Sequence, residues 1–194
     1  MRAIFTLLLL ALLSPLTLWA QGSLRFSAPG LKGSVTLTLF DGKTPRLLHA
    51  RLQEGSCQFD NLGLTAVCYA ELAHSRLSRP LMLFVEPSEI TIELRRDNPS
   101  LSRITGSHSN SEYRYALETC QESNRTQCLS QYAAQHPDQY FVPFLIAEHL
   151  SNLPYEALVP MVEALSGDAL HAPQYALLKD KIGLMGATVE GRRL

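Results

Sequence analysis

The sequence predicts an α+β fold, with an N-terminal antiparallel β-sandwich-like sheet followed by a C-terminal set of short helices. From Ser23 to about Thr105, apolar and polar residues alternate, which is the period of strands with one buried face. After "ITGSHSN" the apolar residues recur at helical spacing instead. A leader-like segment precedes both regions. We therefore divide the chain into residues 1–20 as a signal peptide, residues 21–107 as a β-rich domain, and residues 108–194 as a helical region packed on that domain or following it.

The first residues, "MRAIFTLLLLALLSPLTLWAQG", have the layout of a secretory signal peptide, with Arg2 before an apolar run. An uncleaved membrane anchor is the competing interpretation. We favour cleavage, because the run is shorter than the roughly 20 apolar residues of a spanning helix and Pro15 interrupts it. We expect the cut between Ala20 and Gln21. The mature protein would then be exported, periplasmic or secreted, without a stable membrane anchor.

The β-rich region contains several short segments of alternating pattern, separated by turn residues such as Gly55 and Pro87-Ser88. These segments are "GSVTLTLF", "RLLHARL", "TAVCYAELA", "PLMLFVE" and "EITIELR". Short strands at this spacing are typical of an antiparallel sandwich or barrel-like sheet.

The helical region is expected to begin at "SNSEYRYALETC", where Ser109 stands three residues before Glu112 as in a capping box. Three further segments have proline near their starts, which suits the first turn of a helix. These are "HPDQYFVPFLIAEHL", "NLPYEALVPMVEAL" and "APQYALLKDKI". Their apolar stripes are interpreted as core rather than as ligand-binding surface.

The four cysteines are even in number and lie in an exported chain, so two disulfides are expected. The turn "DNLG" separates Cys57 from Cys68, and a hairpin with an even-numbered loop there would place the two residues opposite each other. Their Cα atoms would then lie within the range that a disulfide accepts. A Cys57–Cys68 bond is the prediction for this half of the chain.

The second pair lies in "CQESNRTQC", where a straight helix would separate Cys120 and Cys128 by about 12 Å along its axis. That distance is too long for a disulfide, so a bond requires the helix to break. Ser123 and Asn124 favour a turn, and Thr126 is a candidate cap for a new helix. We expect two helices meeting at a bend, with Cys120–Cys128 as a structural staple. The alternative is a continuous helix with free thiols or with bonds to the sheet.

No recognisable catalytic, metal-binding or cofactor-binding pattern occurs. The sequence has no Cys-x-x-Cys, its six histidines are scattered, and "GSHSN" lacks the second glycine of a hydrolase elbow. Asn124-Arg125-Thr126 matches the glycosylation acceptor pattern. The formal net charge of −1 and the absence of clustered cations argue against nucleic-acid binding. We therefore expect a protein without cofactors that is not an enzyme.

The stretch "LMLFVEPSEITIELRRDNPSLSRITGSHSN" resembles the β-rich domain of unknown function that precedes thioredoxin-like domains in exported Gram-negative bacterial proteins. In that family a Phe-x-Glu-x-Gly strand end is followed by an "ITV"-like strand and by Thr-Gly-Ser-x-x-Asn opening a helix. The matching residues are Phe84, Glu86, Ile90, Ile92, Thr105, Gly106, Ser107 and Asn110, while Ser88 stands where glycine is frequent. "GSCQFD" and "HPDQ" resemble two further family segments, so the likeness spans nearly the whole mature chain.

The resemblance implies association with periplasmic thiol chemistry or envelope stress, without implying that this chain performs it. In the family the catalytic Cys-x-x-Cys lies in the thioredoxin domain, and this sequence is expected to lack that domain. Our leading hypothesis is a non-catalytic exported binding or accessory module. Its partner would be an envelope protein, with a thioredoxin-like oxidoreductase as one candidate. A periplasmic thiol-disulfide-related enzyme and a glycan-binding β-sandwich are the alternatives.

Overall fold

The computed structural model describes residues 22–42, 44–120 and 122–191. The expected signal peptide and its cleavage site at Ala20 and Gln21 lie outside the described residues. Among the described residues, no helix is both long enough and apolar enough to cross a membrane.

The described residues form eight strands in two four-stranded sheets. The strands are β1 (Ser23–Ser27), β2 (Ser34–Phe40), β3 (Arg46–Arg51), β4 (Ser56–Phe59), β5 (Cys68–His74), β6 (Leu81–Val85), β7 (Glu89–Glu93) and β8 (Arg103–Thr105). The first sheet has the order β4-β1-β7-β8, and the second has the order β3-β2-β5-β6. All pairings are antiparallel except that of β1 with β7, which is parallel and departs from the expected antiparallel arrangement.

The alternating pattern of the sequence builds the core between the two sheets. In β2, Val35, Leu37 and Leu39 are fully buried while the residues between them are partly exposed. They share one hydrophobic cluster with Leu24 and Ile92 of the first sheet. The two sheets therefore pack face to face as a β-sandwich.

Five α-helices follow the strands within the described part of the chain, and the α+β prediction is confirmed. They are α1 (His108–Thr119), α2 (Arg125–Gln135), α3 (Val142–Leu145), α4 (Tyr155–Glu163) and α5 (Pro173–Gly191). A π-helical turn, Ile146–Leu150, continues directly from α3. The helices share a second hydrophobic cluster with Tyr69, Met82 and Phe84 of the second sheet. They therefore cover the outer face of that sheet and form a third layer.

The predicted Cys120–Cys128 bond is confirmed, with the two Cα atoms 5.5 Å apart. The helix breaks between them as expected, because α1 ends at Thr119 and a short 3₁₀ turn precedes α2. The predicted cap is wrong in detail. Asn124 occupies the N-cap position without a side-chain hydrogen bond, and Thr126 lies inside the first turn of α2.

The predicted Cys57–Cys68 bond is wrong, because both cysteines are free thiols. Cys57 lies in β4, which pairs with β1 in the first sheet, while Cys68 lies in β5 of the second sheet. The segment "DNLG" therefore crosses between the sheets instead of closing a hairpin. Its backbone is held beside the start of β1, because the Leu62 amide donates a hydrogen bond to the Gly22 carbonyl at 3.1 Å.

Candidate functional site

The residues that carry the family resemblance meet where the second sheet joins the helical layer. Glu86 directly follows β6, and its carboxylate accepts hydrogen bonds from the backbone amides of His108 (3.0 Å) and Ser109 (2.7 Å). The amides of a first helical turn have no partner inside the helix, and negative charge is favoured at a helix N-terminus. Glu86 therefore fixes the start of α1 on the sheet.

Ser107 is the N-cap of α1, and its hydroxyl accepts a hydrogen bond from the Asn110 amide at 3.2 Å. The same hydroxyl donates to the Glu86 carboxylate at 3.1 Å. The capping box predicted at Ser109 and Glu112 is therefore wrong by two residues. Ser109 lies inside the first turn, where the external Glu86 carboxylate binds its amide.

Asn110 ties α1 to the backbone of β6 with both ends of its side-chain amide. Its Oδ1 accepts from the Phe84 amide at 3.1 Å, and its Nδ2 donates to the Phe84 carbonyl at 2.5 Å. Since β6 is an edge strand, these backbone groups have no neighbouring strand on that side. The Asn110 side chain thus replaces a partner strand at this one position.

Gly106 connects β8 to α1 at a point that excludes any side chain. Its φ is +83°, and an added Cβ would lie 1.9 Å from the Glu89 carbonyl oxygen. Ser88, which stands where the resembled family frequently has glycine, donates its hydroxyl to the Gly106 carbonyl at 2.7 Å. This close approach of two backbones explains why the motif contains glycine here.

Phe84 anchors the helical layer through a cluster of aromatic rings. Its ring centroid lies 5.6 Å from that of Tyr113 and 5.0 Å from that of Phe144, both in edge-on geometry. Tyr140 and Phe141 complete the group. The Tyr140 hydroxyl also accepts from the Tyr69 amide at 3.0 Å, which adds a hydrogen bond to the apolar contact. We call Phe84, Glu86, Gly106, Ser107 and Asn110 the junction.

A groove of about 330 Å³ lies beside the junction, between the edges of β6 and β8 and along α1. Its apolar walls are formed by Leu81, Met82, Leu101, Ile104 and Leu117. The charged side chains that line it are Arg79, Arg114, Glu118 and Glu148. Leu101 is 54% exposed, which leaves an apolar side chain open at the groove. A concave, partly apolar surface with a few charged groups is the usual form of a binding site.

One wall of the groove includes a hydrogen-bonded cluster on the π-helical turn. The Tyr113 hydroxyl donates to the Glu148 carboxylate at 2.9 Å and lies 3.3 Å from Nε2 of His149. Burial raises the pKa of Tyr113, with the Glu148 charge adding to the effect. Burial also lowers the pKa of His149, and Arg125 lowers it further. At neutral pH the Tyr113 phenol therefore keeps its proton, and the His149 imidazole is neutral.

Both arginines that line the groove interact with other groups of the protein. Arg114 donates to the Ser102 carbonyl, and Arg79 also has an interaction within the structure. Among the described residues, Glu118 has no ion-pair partner within 4.0 Å, and the basic side chain that lies this close to Glu148 is the neutral imidazole of His149. The groove therefore carries two arginines and two glutamates, with no excess of either charge.

The free cysteines occupy positions that disfavour thiolate chemistry. Burial raises the pKa of Cys57 to about 11 and that of Cys68 to about 12. Because these pKa values lie far above neutral pH, both thiols are almost fully protonated there. The thiolate is the reactive form of cysteine, so neither thiol is activated. Cys68 belongs to the sandwich core and Cys57 packs against it. The remaining two cysteines are joined in the disulfide.

Two further histidines bond to neighbouring groups of the sandwich. His74 contacts backbone groups of Lys32 and Arg76, and His49 contacts the Thr36 hydroxyl. Within the part of the chain that the structure describes, no group of three histidine, cysteine or acidic residues is placed to hold a metal ion. Asn124 of the acceptor tripeptide is exposed.

Sequence reasoning identified the residues of the junction but not the groove or the Tyr113–Glu148–His149 cluster. Tyr113 and Glu148 are 35 positions apart, and no local pattern connects them. The one local signal is the π-helical turn itself, a geometry that is frequent at functional sites but has no sequence signature here. Comparisons with protein-family models, with curated proteins and with solved structures each return no match to this chain.

Proposed function

We propose that this chain is a non-catalytic exported binding or accessory module, related to periplasmic thioredoxin-like proteins, that binds an envelope partner through the groove between β6, β8 and α1. A thioredoxin-like oxidoreductase is the candidate partner. The relation rests on the resemblance of residues 81–110, and export rests on the leader at residues 1–20. The observation that carries the binding role is the groove, with its exposed Leu101 and its charged rim of two arginines and two glutamates.

The state of the cysteines supports a role outside catalysis. A thiol-disulfide oxidoreductase needs an accessible thiolate, and both free thiols have pKa values raised far above neutrality by burial. They also lie in different sheets, so neither is placed as the resolving partner in a short Cys-x-x-Cys loop. The residues of the junction pack the helical layer onto the second sheet and cap the start of α1.

Site-specific photo-crosslinking in exporting cells tests the binding role. A photoreactive amino acid replaces Leu101 in the groove, and a second variant carries it at Leu184, which is 73% exposed and lies outside the groove. We expect a discrete crosslinked envelope protein from position 101 and none from position 184. Equal crosslinking from both positions, or none from either in a correctly exported protein, would contradict the proposal.

The enzymatic alternative has a separate test. The purified mature chain is added to insulin and dithiothreitol, and the precipitation of reduced insulin is followed. We expect the rate of the uncatalysed reaction. An accelerated rate that disappears in the Cys57→Ala/Cys68→Ala variant would replace the proposal with thiol-disulfide catalysis.

A further inference from the structure

Another cavity, which shares no lining residue with the groove, lies at one end of the β-sandwich. It has a volume of about 480 Å³ and is lined by Leu31, Arg76, Leu77, Arg96 and Asp97. These residues come from the turn between β1 and β2, the turn between β5 and β6, and the segment after β7. Because the three segments are distant in sequence, no local run of cations marks the place. Only the fold brings the two arginines to one cavity.

A buried histidine fixes two of these segments against each other. His74 is 6% exposed, and its Nδ1 accepts a hydrogen bond from the Arg76 amide at 3.1 Å. Since one ring nitrogen is the acceptor, the other, Nε2, donates to the Lys32 carbonyl at 3.1 Å. The Leu77 amide also donates to the His74 carbonyl at 2.9 Å, which closes the β5–β6 turn. The backbone that carries Arg76 is therefore held in place beside the β1–β2 turn.

The Arg96 guanidinium reaches the same cavity from the third segment. Its Nη1 lies 3.4 Å from the position that a Cβ would occupy on Gly30, so it rests against the β1–β2 turn. The Leu94 amide donates to the Ser27 carbonyl at 2.8 Å, which ties this segment to the end of β1. Leu31, which is 6% exposed, provides an apolar wall. The two arginines thus enter one cavity from two backbone segments that are each fixed by hydrogen bonds.

The cavity carries an excess of positive charge. Within the described part of the chain, the guanidiniums of Arg76 and Arg96 have no hydrogen bond and no ion pair. Asp97 is paired with Arg95 at 2.9 Å, so three arginines stand against one aspartate here. Lys32 adds a further exposed cation on the β1–β2 turn.

The acidic residues of the adjoining elements do not offset this excess. Glu93 ends β7 and is paired with Arg103 at 3.9 Å. Glu54 lies in the turn before β4, which borders the β1–β2 turn because the Ala28 amide donates to the Gly55 carbonyl at 2.7 Å. Neither carboxylate lines the cavity. Even with both included, positive charge stays in excess at this end of the sandwich.

We propose that this cavity binds a phosphate group through Arg76 and Arg96. A guanidinium presents a planar fork of N–H donors that pairs with phosphate or carboxylate oxygens through two hydrogen bonds. A phosphate monoester carries about 1.5 to 2 negative charges at pH 7, which matches two unpaired guanidiniums, whereas a carboxylate carries a single charge. The group belongs to a soluble small molecule or to a lipid headgroup. This site goes beyond the proposed function of the groove and does not depend on it.

NMR titration of the folded protein locates the site. The soluble probe is glycerol 3-phosphate, and glycerol is the control without the phosphate. We expect glycerol 3-phosphate to cause saturable shifts in the Nε–Hε signals of Arg76 and Arg96, and glycerol to cause none. Cosedimentation with phosphatidylcholine vesicles, with and without phosphatidic acid, identifies the source of the group. Cosedimentation that requires phosphatidic acid assigns a lipid headgroup, and binding of the soluble probe without cosedimentation assigns a small molecule.

Protein variants complete the test. Arg76→Gln/Arg96→Gln removes both guanidiniums, and Arg25→Gln/Lys179→Gln removes the same charge from exposed side chains outside the cavity. We expect only the first of these two variants to lose on the order of tenfold or more in affinity for the probe that binds. Arg76→Lys/Arg96→Lys keeps the charge without the planar fork and should show an intermediate loss.

Binding of neither the soluble probe nor the phosphatidic acid vesicles overturns the inference, as does an equal loss of affinity in the charge-matched control. All substituted positions are exposed, so each variant should keep the circular dichroism spectrum of the wild type. The groove takes no part in these measurements. Photo-crosslinking from position 101 therefore decides the proposed function independently of their outcome.

Discussion

The β-sandwich and the helical region are held together in different ways, and their cysteines show the difference. In the sandwich, each strand is paired along its length, and Cys57 and Cys68 serve as small apolar side chains without forming a bond. In the helical region, α1 to α4 are short, and a disulfide joins α1 to α2. Short helices are marginal by themselves and depend on packing. The helical region therefore needs a covalent link and a fixed attachment, whereas the sandwich needs neither.

That attachment is the junction. Glu86 caps α1 from the sheet, Asn110 bonds to the backbone of β6, and Phe84 enters the aromatic cluster. The groove lies next to these contacts and is lined by Asn110, so one residue that fixes the helical layer also shapes the proposed binding surface. Stability of the two regions should accordingly respond differently to changes in the junction, in the disulfide and in pH.

The largest expected effect comes from Gly106→Ala. The new methyl group would lie 1.9 Å from the Glu89 carbonyl, so either β7 or the start of α1 must move. We expect a loss of more than about 4 kcal/mol in the free energy of unfolding, or an expressed protein whose helical region is unfolded. Chemical denaturation followed by far-UV circular dichroism measures it.

Gly63→Ala is the matched control, because Gly63 also has a positive φ, of +66°, but no atom lies within 4 Å of the added Cβ. It should cost only the backbone strain, about 1 to 2 kcal/mol. Equal losses in the two variants would show that the contact with Glu89 is unimportant.

Removal of the disulfide has an intermediate expected effect. Cys120 and Cys128 close a loop with a sequence separation of 8, for which the loop-entropy relation gives about 2.5 kcal/mol. We expect Cys120→Ala/Cys128→Ala to lose roughly that amount in denaturant unfolding. A reducing agent should lower the melting temperature of the wild type but not that of this variant. A reductant effect that survives in the variant would place a disulfide elsewhere.

The smallest expected effect is the pH dependence due to His149. Burial holds its folded-state pKa below the unfolded value, so the unfolded state binds the proton more readily. Stability contributed by the neutral imidazole is present above the unfolded pKa of about 6.5 and decreases as pH falls below it. We expect His149→Gln to show a smaller drop in melting temperature than the wild type between pH 7.5 and 5. Parallel pH profiles for the two proteins would contradict a buried neutral imidazole.

The sequence predicted the features that depend on local pattern. The alternation in "SVTLTLF" became β2, and the change of period after Thr105 marks the point where the described strands end and α1 begins. The bend at the Cys120–Cys128 staple was also predictable. A straight helix would hold the two residues too far apart for a disulfide, so a bond between them requires the helix to break. In each case the decisive interaction lies within about ten residues.

The features that the sequence did not predict depend on distant partners. Cys57 was assigned to a hairpin with Cys68, but its strand pairs instead with β1, where Cys57 lies opposite Phe26. The start of α1 was placed two residues late, because the Glu86 carboxylate that caps it comes from another strand. The groove likewise forms between segments far apart in sequence. A single sequence contains no local signal for such pairings.

Cysteine alkylation with intact-mass analysis tests the central contrast between the two regions most directly. The folded protein is treated with iodoacetamide at pH 7.5, and then again in denaturant without reductant. We predict no label in the folded protein and two labels in denaturant, at Cys57 and Cys68, with Cys120 and Cys128 recovered as one disulfide-linked peptide pair. Recovery of a Cys57–Cys68 disulfide, or rapid labelling of either thiol in the folded protein, would contradict the account.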